Sequence, residues 1–327
     1  MVFLFRDKSF VSVFFLIILC LLVHTHLLIS TPTIATAEDS GIISFVLTHY
    51  LNALPKSIMG MLYIIIVLLQ AIRLNILLNE YKMYQYSGFT TAMSYILLTG
   101  FFSQWATITP ALIANIFVIW IFIQLSKLYN NPSPKSLLFN TGLIIGAAVL
   151  CYQPTAMLIA VVFFALMIVR PFVISEWFVL LIGIIMPFYI ISALFFLNDK
   201  INLLPTFLPH THFGLLIPVI DVWFWVSIAA IAVMLIAGFI TLNNNNNRMV
   251  IQIRKNWNIM IVMVIMLMLI PFIFYNAGLQ SATLSIIPLA AIIANIYSYP
   301  KKMLVPNIFF VLAVCIIIHN NWVLVKN

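Results

Sequence analysis

The amino-acid sequence predicts an all-α, polytopic integral membrane protein with about eleven transmembrane helices, its N-terminus cytoplasmic and its C-terminus extracytoplasmic. Three observations predict it. Hydrophobic residues make up 65% of the chain and charged residues only 7%, too few polar groups to cover a soluble globule of 327 residues. The apolar residues come in runs near spanning length, divided by short polar connections. Once those runs are threaded through a bilayer, the Lys and Arg residues fall almost entirely on one side.

Arg6 and Lys8 precede the first run, residues 10–29, which at about 1.5 Å per residue is long enough to cross roughly 30 Å of hydrocarbon. A cleaved leader competes for the same residues, because Ala35-Thr36-Ala37 fits the small-residue cleavage pattern; the length of the run and its distance from Ala37 favour a retained helix. His24 and His26, two apart, point to different faces of it and read as outer-end interfacial residues. A polar interruption at 31–57 is the first outer loop. Residues 57–78 form the second helix, with Arg73 snorkelling from its inner end. Residues 88–103 make a short third helix, and Pro110 is well placed to start the fourth, 111–128.

The loop 130–135, Asn-Asn-Pro-Ser-Pro-Lys, leads to two short segments, 136–150 and 155–169. Either they cross a thinned region or they form a hairpin buried among other helices; both versions return the chain to the same side. Residues 170–176 form a loop, 177–197 the seventh helix and 198–214 the second outer loop. The eighth helix, 218–242, carries Asp221 near its start. Five asparagines at 243–247, with Arg248, Arg254 and Lys255, make 243–256 a cytoplasmic basic loop of low complexity. Residues 257–275, 281–297 and 305–318 complete the set, and 1–327 reads as a single membrane domain.

Alternation from a cytoplasmic N-terminus places twelve of the 15 basic residues inside and leaves only Lys56, Lys200 and Lys326 outside. The formal charge of +8 is therefore an orientation signal, and a nucleic-acid partner loses its support. Cys20, Cys151 and Cys315 lie in apolar runs without paired spacing, so neither a disulfide framework nor a metal site is implied. No Gly-rich phosphate loop occurs, so ATP-driven work by this chain alone is not expected, and the sequence leaves the cofactor unknown.

Acidic residues distribute the other way. Glu38, Asp39, Asp199 and Asp221 fall outside. Glu38 and Asp39 precede residues 41–54, where Ile42, Phe45, Val46, His49 and Tyr50 recur at helical spacing, the pattern of a helix lying along the outer membrane surface. A carboxylate at the rim of a lipid-facing groove can act as general base toward an acceptor hydroxyl. The same two acids can equally cap the interfacial helix at its positive end. In the second outer loop Lys200, His210 and His212 can hold a lipid phosphate, and Lys56 supplies a further cation. His210-Thr211-His212 lacks a third metal ligand. Asp221 reads either as a substrate-binding acid or as an interfacial carboxylate beside the aromatic anchors Trp223 and Trp225. Asn115, Asn140 and Asn295 read as interhelical hydrogen-bond partners.

An acidic pair in the first outer loop, then an interfacial helix and many spans, resembles the GT-C superfamily of polytopic glycosyltransferases. Residues 108–129, ITPALIANIFVIWIFIQLSKLY, and 137–150, LLFNTGLIIGAAVL, look like that superfamily too. The resemblance covers roughly the first 200 residues. It implies a polyprenyl-phosphate-linked sugar donor, with Glu38 or Asp39 in the position of the catalytic acid. The chain departs from the pattern in lacking a large soluble C-terminal domain and a second acidic cluster. More narrowly, it looks like an uncharacterised family of bacterial inner-membrane proteins, some labelled carotene oxygenases, although the four-histidine iron site of such an oxygenase is absent here. That resemblance implies a multi-pass protein of the bacterial inner membrane with membrane lipid as its partner. The competing functional class is a non-catalytic transporter, flippase or structural component of an envelope complex.

Overall fold

The computed structural model describes residues 2–28, 41–51, 55–214, 222–246, 248–300 and 302–322. Among them there is no strand; His212 and Phe274 form an isolated parallel bridge. The helices are α1 (Phe10–Val23), α2 (Gly41–Val46), α3 (Lys56–Glu80), α4 (Thr90–Thr99), α5 (Pro110–Ser126), α6 (Pro134–Cys151), α7 (Met157–Val169), α8 (Ile174–Leu197), α9 (Val222–Asn246), α10 (Ile251–Met268), α11 (Ile270–Ile273), α12 (Ile286–Ser298) and α13 (Leu304–Trp322). Among the described residues seven stretches are long and apolar enough to cross a membrane: Ile58–Glu80, Pro134–Cys151, Ile174–Leu197, Val222–Asn246, Ile251–Ile273, Leu279–Ser298 and Leu304–Trp322. The protein is thus an all-helical membrane protein. α1, α4, α5 and Gln153–Val169 are apolar but shorter.

Local chemistry sets the helix starts. Ser9 caps α1, its Oγ accepting from the Ser12 amide, and Thr109 caps α5 in the same way through Leu112. Pro110 and Pro134 occupy the first turns of α5 and α6, where a missing N–H costs nothing.

Burial then separates helices that look alike in sequence. All ten residues of α4 are buried, and it packs chiefly on α12, α3 and α1. In an 18-residue window of Leu279–Ser298, 83% of the residues are buried, whereas in Ile174–Leu197 only Glu176, Trp177, Leu180, Gly183 and Ile184 are. α4 and α12 are the centre, and α8 faces outward. Chain entry to α4 is tight: Phe89 N–H donates to Phe5 O at 2.7 Å, and Asn75 and Asn79 both donate to Gly88 O.

The most extensive helix contact joins α6 to α8. Its face is built on Gly142 and Gly146, one turn apart, against Gly183. A Cβ at Gly142 would stand 2.5 Å from Leu180 O, and one at Gly146 would stand 2.4 Å from Ile184 O. Small residues at this spacing let two backbones approach where neither helix gains by leaving lipid.

One end of the helix set collects basic side chains, and they terminate helices. Arg6 donates to Tyr297 O and Pro300 O at the end of α12, and Lys255 to Val169 O at the end of α7. Arg170 donates to Leu128 O and Asn131 O beyond α5 and approaches Glu176 at 3.4 Å, the one ion pair among the described residues. Cations here meet the unsatisfied carbonyls and the negative end of each helix dipole. The expected loop 243–256 is shorter than its composition suggests. α9 runs on through Asn246, with Asn245 Nδ2 donating back to Thr241 O, and α10 begins at Ile251. Asparagine side chains that bond the preceding turn extend the helix by one turn instead of opening the loop.

Candidate functional site

The end opposite the basic cluster carries residues 41–51 and 198–214, the described parts of the two loops expected outside. The interfacial helix expected after Glu38 and Asp39 forms as α2 and continues as a wider turn over Leu47–Leu51. Phe45 and His49 stack at 5.5 Å, and Phe45 and Tyr50 are exposed, so the helix presents an aromatic face. Gly41 fastens α2 to the end of α6. Its φ of +76° suits glycine, and a Cβ there would meet Leu150 O at 2.7 Å and Cys151 O at 2.8 Å. α2 also touches the 3-10 helix Ile201–Phe207 of the second loop, so the two loops meet over the end of α6.

The second loop is pinned in three places. α8 ends with Asp199 at φ 55°, the Lys200 amide donating to Phe195 O and the Asp199 amide to Phe196 O, a left-handed helix stop. Buried Gln153, in the α6–α7 link, donates from Nε2 to Thr206 O at 2.8 Å and accepts the His210 amide at 3.3 Å. His212 and Gly214 then pair with the segment after α10: Tyr275 N–H donates to His212 O and Gly214 N–H to Phe272 O.

Of the residues singled out in the sequence, Glu38, Asp39 and Asp221 lie outside the described residues. Lys56 opens α3, and its side chain likewise lies outside the description. Lys200, His210 and His212 are exposed, and their side chains make no hydrogen bond or ion pair with a described residue. They stand free toward the surface while the backbone beneath them is held. Among the described residues no group of three His, Cys, Asp or Glu is placed to hold a metal.

The structure also assembles a buried polar ladder that the sequence did not announce. His24 and His26 are both buried, not interfacial. α1 ends at Val23 and the chain tightens into a 3-10 turn, Thr25–Leu28, so the two rings come within 6.0 Å instead of diverging. His24 Nε2 lies 3.3 Å from Thr99 Oγ1, and its ring meets Tyr63 edge-on at 5.1 Å. Thr99 Oγ1 also lies within hydrogen-bond reach of Ile96 O, and His24 Nδ1 is buried without a described hydrogen-bond partner.

Tyr63 donates to Trp105 O, and Trp105 Nε1 to Leu279 O. Deeper, Tyr95 donates to Gln70 Oε1 at 2.6 Å, Gln70 Nε2 donates to Leu112 O, and Asn115 Nδ2 reaches Tyr95 Oη and Thr283 O. This ladder binds α1, α3, α4, α5 and the start of the α12 span together. Asn115 is the interhelical partner expected of it. Asn295 instead bonds carbonyls of its own helix, and Asn140 is exposed. Polar residues inside apolar runs were visible in the sequence, but which of them meet depends on helix packing.

Chemically, the loop platform offers an amine, two imidazoles and an aromatic helix at one end of the helix set. Comparison with known proteins finds no matching family model, no matching curated protein and no matching solved structure.

Proposed function

We propose that this chain is a GT-C-like glycosyltransferase of the bacterial inner membrane that moves a sugar from a polyprenyl-phosphate donor to an acceptor on the outer face. The observation that carries the reading is the meeting of α2 with the 3-10 helix Ile201–Phe207 over the end of α6. The segment carrying Glu38 and Asp39 runs directly into α2, and Lys200, His210 and His212 ride on the second loop. The basic end is then cytoplasmic and the platform extracytoplasmic.

In the reaction, Glu38 or Asp39 takes the proton of an acceptor hydroxyl as its oxygen attacks the anomeric carbon. The bond from that carbon to the carrier phosphate breaks, and the phosphate leaves with the electron pair. Lys200, His210 and His212 stabilise the charge developing on it, and Lys56 and Asp221 are assigned to substrate binding. No metal is invoked.

The test is the double variant E38Q/D39N in reconstituted vesicles, with transfer from a labelled polyprenyl-phosphate sugar as the readout. Loss of a general base predicts a fall of about 10²- to 10⁴-fold with donor binding retained. Unchanged transfer removes the first outer loop from the mechanism. A wild-type chain that binds no donor but co-purifies with a stable partner supports the non-catalytic envelope reading instead.

A further inference from the structure

Beyond the outer platform, α3 and α5 run side by side in the same direction. Gln70 Nε2 donates to Leu112 O between them, and Tyr63 Oη to Trp105 O before α5 and Tyr81 Oη, just past α3, to Ile123 O keep the same spacing, each joining residues 42 apart. Between them, toward the basic end, lies a groove of about 500 Å³, within the roughly 300–1,000 Å³ typical of small-ligand sites. Its walls are apolar, Ile66 and Leu69 from α3 and Ile116, Ile119 and Trp120 from α5. Leu69, Ile116 and Trp120 are exposed, so the groove opens sideways to where lipid lies.

Two polar side chains line it, Gln70 and Arg73. Gln70 is spent at both ends, on Leu112 O and Tyr95. Arg73 is exposed and makes no hydrogen bond or ion pair with a described residue; Glu80, two turns further along α3, does not pair with it. Arg73 stands seven residues before the end of α3, about 10 Å along the axis at 1.5 Å per residue. A long side chain from that depth carries its guanidinium to the headgroup level of the nearer leaflet, with its stem along the groove wall. Basic pockets between spanning helices at such a level suit acidic lipid heads, and a guanidinium matches the two oxygens of a phosphate diester.

We propose that the α3–α5 groove binds an anionic phospholipid of the leaflet at the basic end, its phosphate on Arg73 and an acyl chain along Ile66, Leu69 and Ile116. This site requires only that the chain spans a membrane and is independent of the transferase reading.

The experiment is native mass spectrometry of the full chain released from nanodiscs containing equal phosphatidylglycerol and phosphatidylcholine. Wild type retains phosphatidylglycerol with a preference of about fivefold, the factor expected of one basic residue at an anionic headgroup. R73Q brings the preference near parity, R73K keeps part of it, and R254Q, at an exposed arginine of the same end, leaves it intact. L69W fills the groove and lowers occupancy by both lipids with Arg73 present, which keeps the site testable if R73Q does not fold. Undiminished preference in R73Q, or an equal loss in R254Q, overturns the proposal. Displacement of phosphatidylglycerol by equimolar undecaprenyl phosphate overturns its assignment to a phospholipid.

Discussion

Gly146→Ala is the most informative single change in the helix scaffold. The new Cβ would lie 2.4 Å from Ile184 O and 2.9 Å from the Pro187 ring. Carbon and carbonyl oxygen settle at about 3.3–3.6 Å, so α6 and α8 must part by about 1 Å. The obstacle is backbone and a proline ring, neither of which can swing aside. Separation along the whole face forfeits dispersion contacts, and overpacking of this kind costs about 1–3 kcal/mol. Alanine returns up to about 1 kcal/mol of helix propensity, leaving a net loss of up to about 2 kcal/mol. The double variant G142A/G146A loses less than the sum, because one displacement relieves both contacts.

Unfolding by added SDS in mild micelles measures the loss. Trp177, on α8 and edge-on to Phe163 with ring centroids 4.0 Å apart, reports it by fluorescence. Ile182→Ala, on the exposed side of α8, serves as the control and unfolds near the wild-type midpoint. A G146A protein that unfolds at the wild-type midpoint would refute the close approach of α6 and α8.

Two further perturbations test the ends of the bundle. Arg170→Ala strips Glu176 of its partner at 3.4 Å and frees Leu128 O and Asn131 O; with the Glu176 side chain only 7% exposed, the loss is about 3–5 kcal/mol. Adding Glu176→Gln should recover part of it in the same unfolding assay, and strict additivity would mean that the pair does not interact. Gln153→Leu removes the two bonds that tie the middle of the second outer loop to the α6–α7 link, each worth about 0.5–1.5 kcal/mol. Amide exchange at residues 201–210 should quicken while α6 and α7 stay protected, and unchanged exchange would show that the loop is held elsewhere.

Much of the scaffold was legible because its signals are local. Pro110 and Pro134 mark helix starts, and every apolar run contains a helix near its expected place. Of the candidate site, Lys200, His210 and His212 were legible as free loop side chains, since nothing packs over them. Gln153, which holds the loop carrying them, was not. Its partners Thr206 and His210 are 53 and 57 residues away in sequence, and no local pattern names them.

By itself the sequence determined the class: an apolar chain, segmented into helices, with its cations gathered at one end. Tertiary structure decided which helices are central. α4 and α8 are both apolar, yet α4 is wholly buried while α8 buries only five of its 24 residues. It also turned Gly142 and Gly146 toward α8 and brought His24 and His26 inward. The reason is that lipid tails and a protein interior are equally apolar, so hydropathy does not distinguish a side chain facing one from a side chain facing the other. Only steric fit between particular helices, and the hydrogen bonds that their few polar groups can reach, tells the two apart.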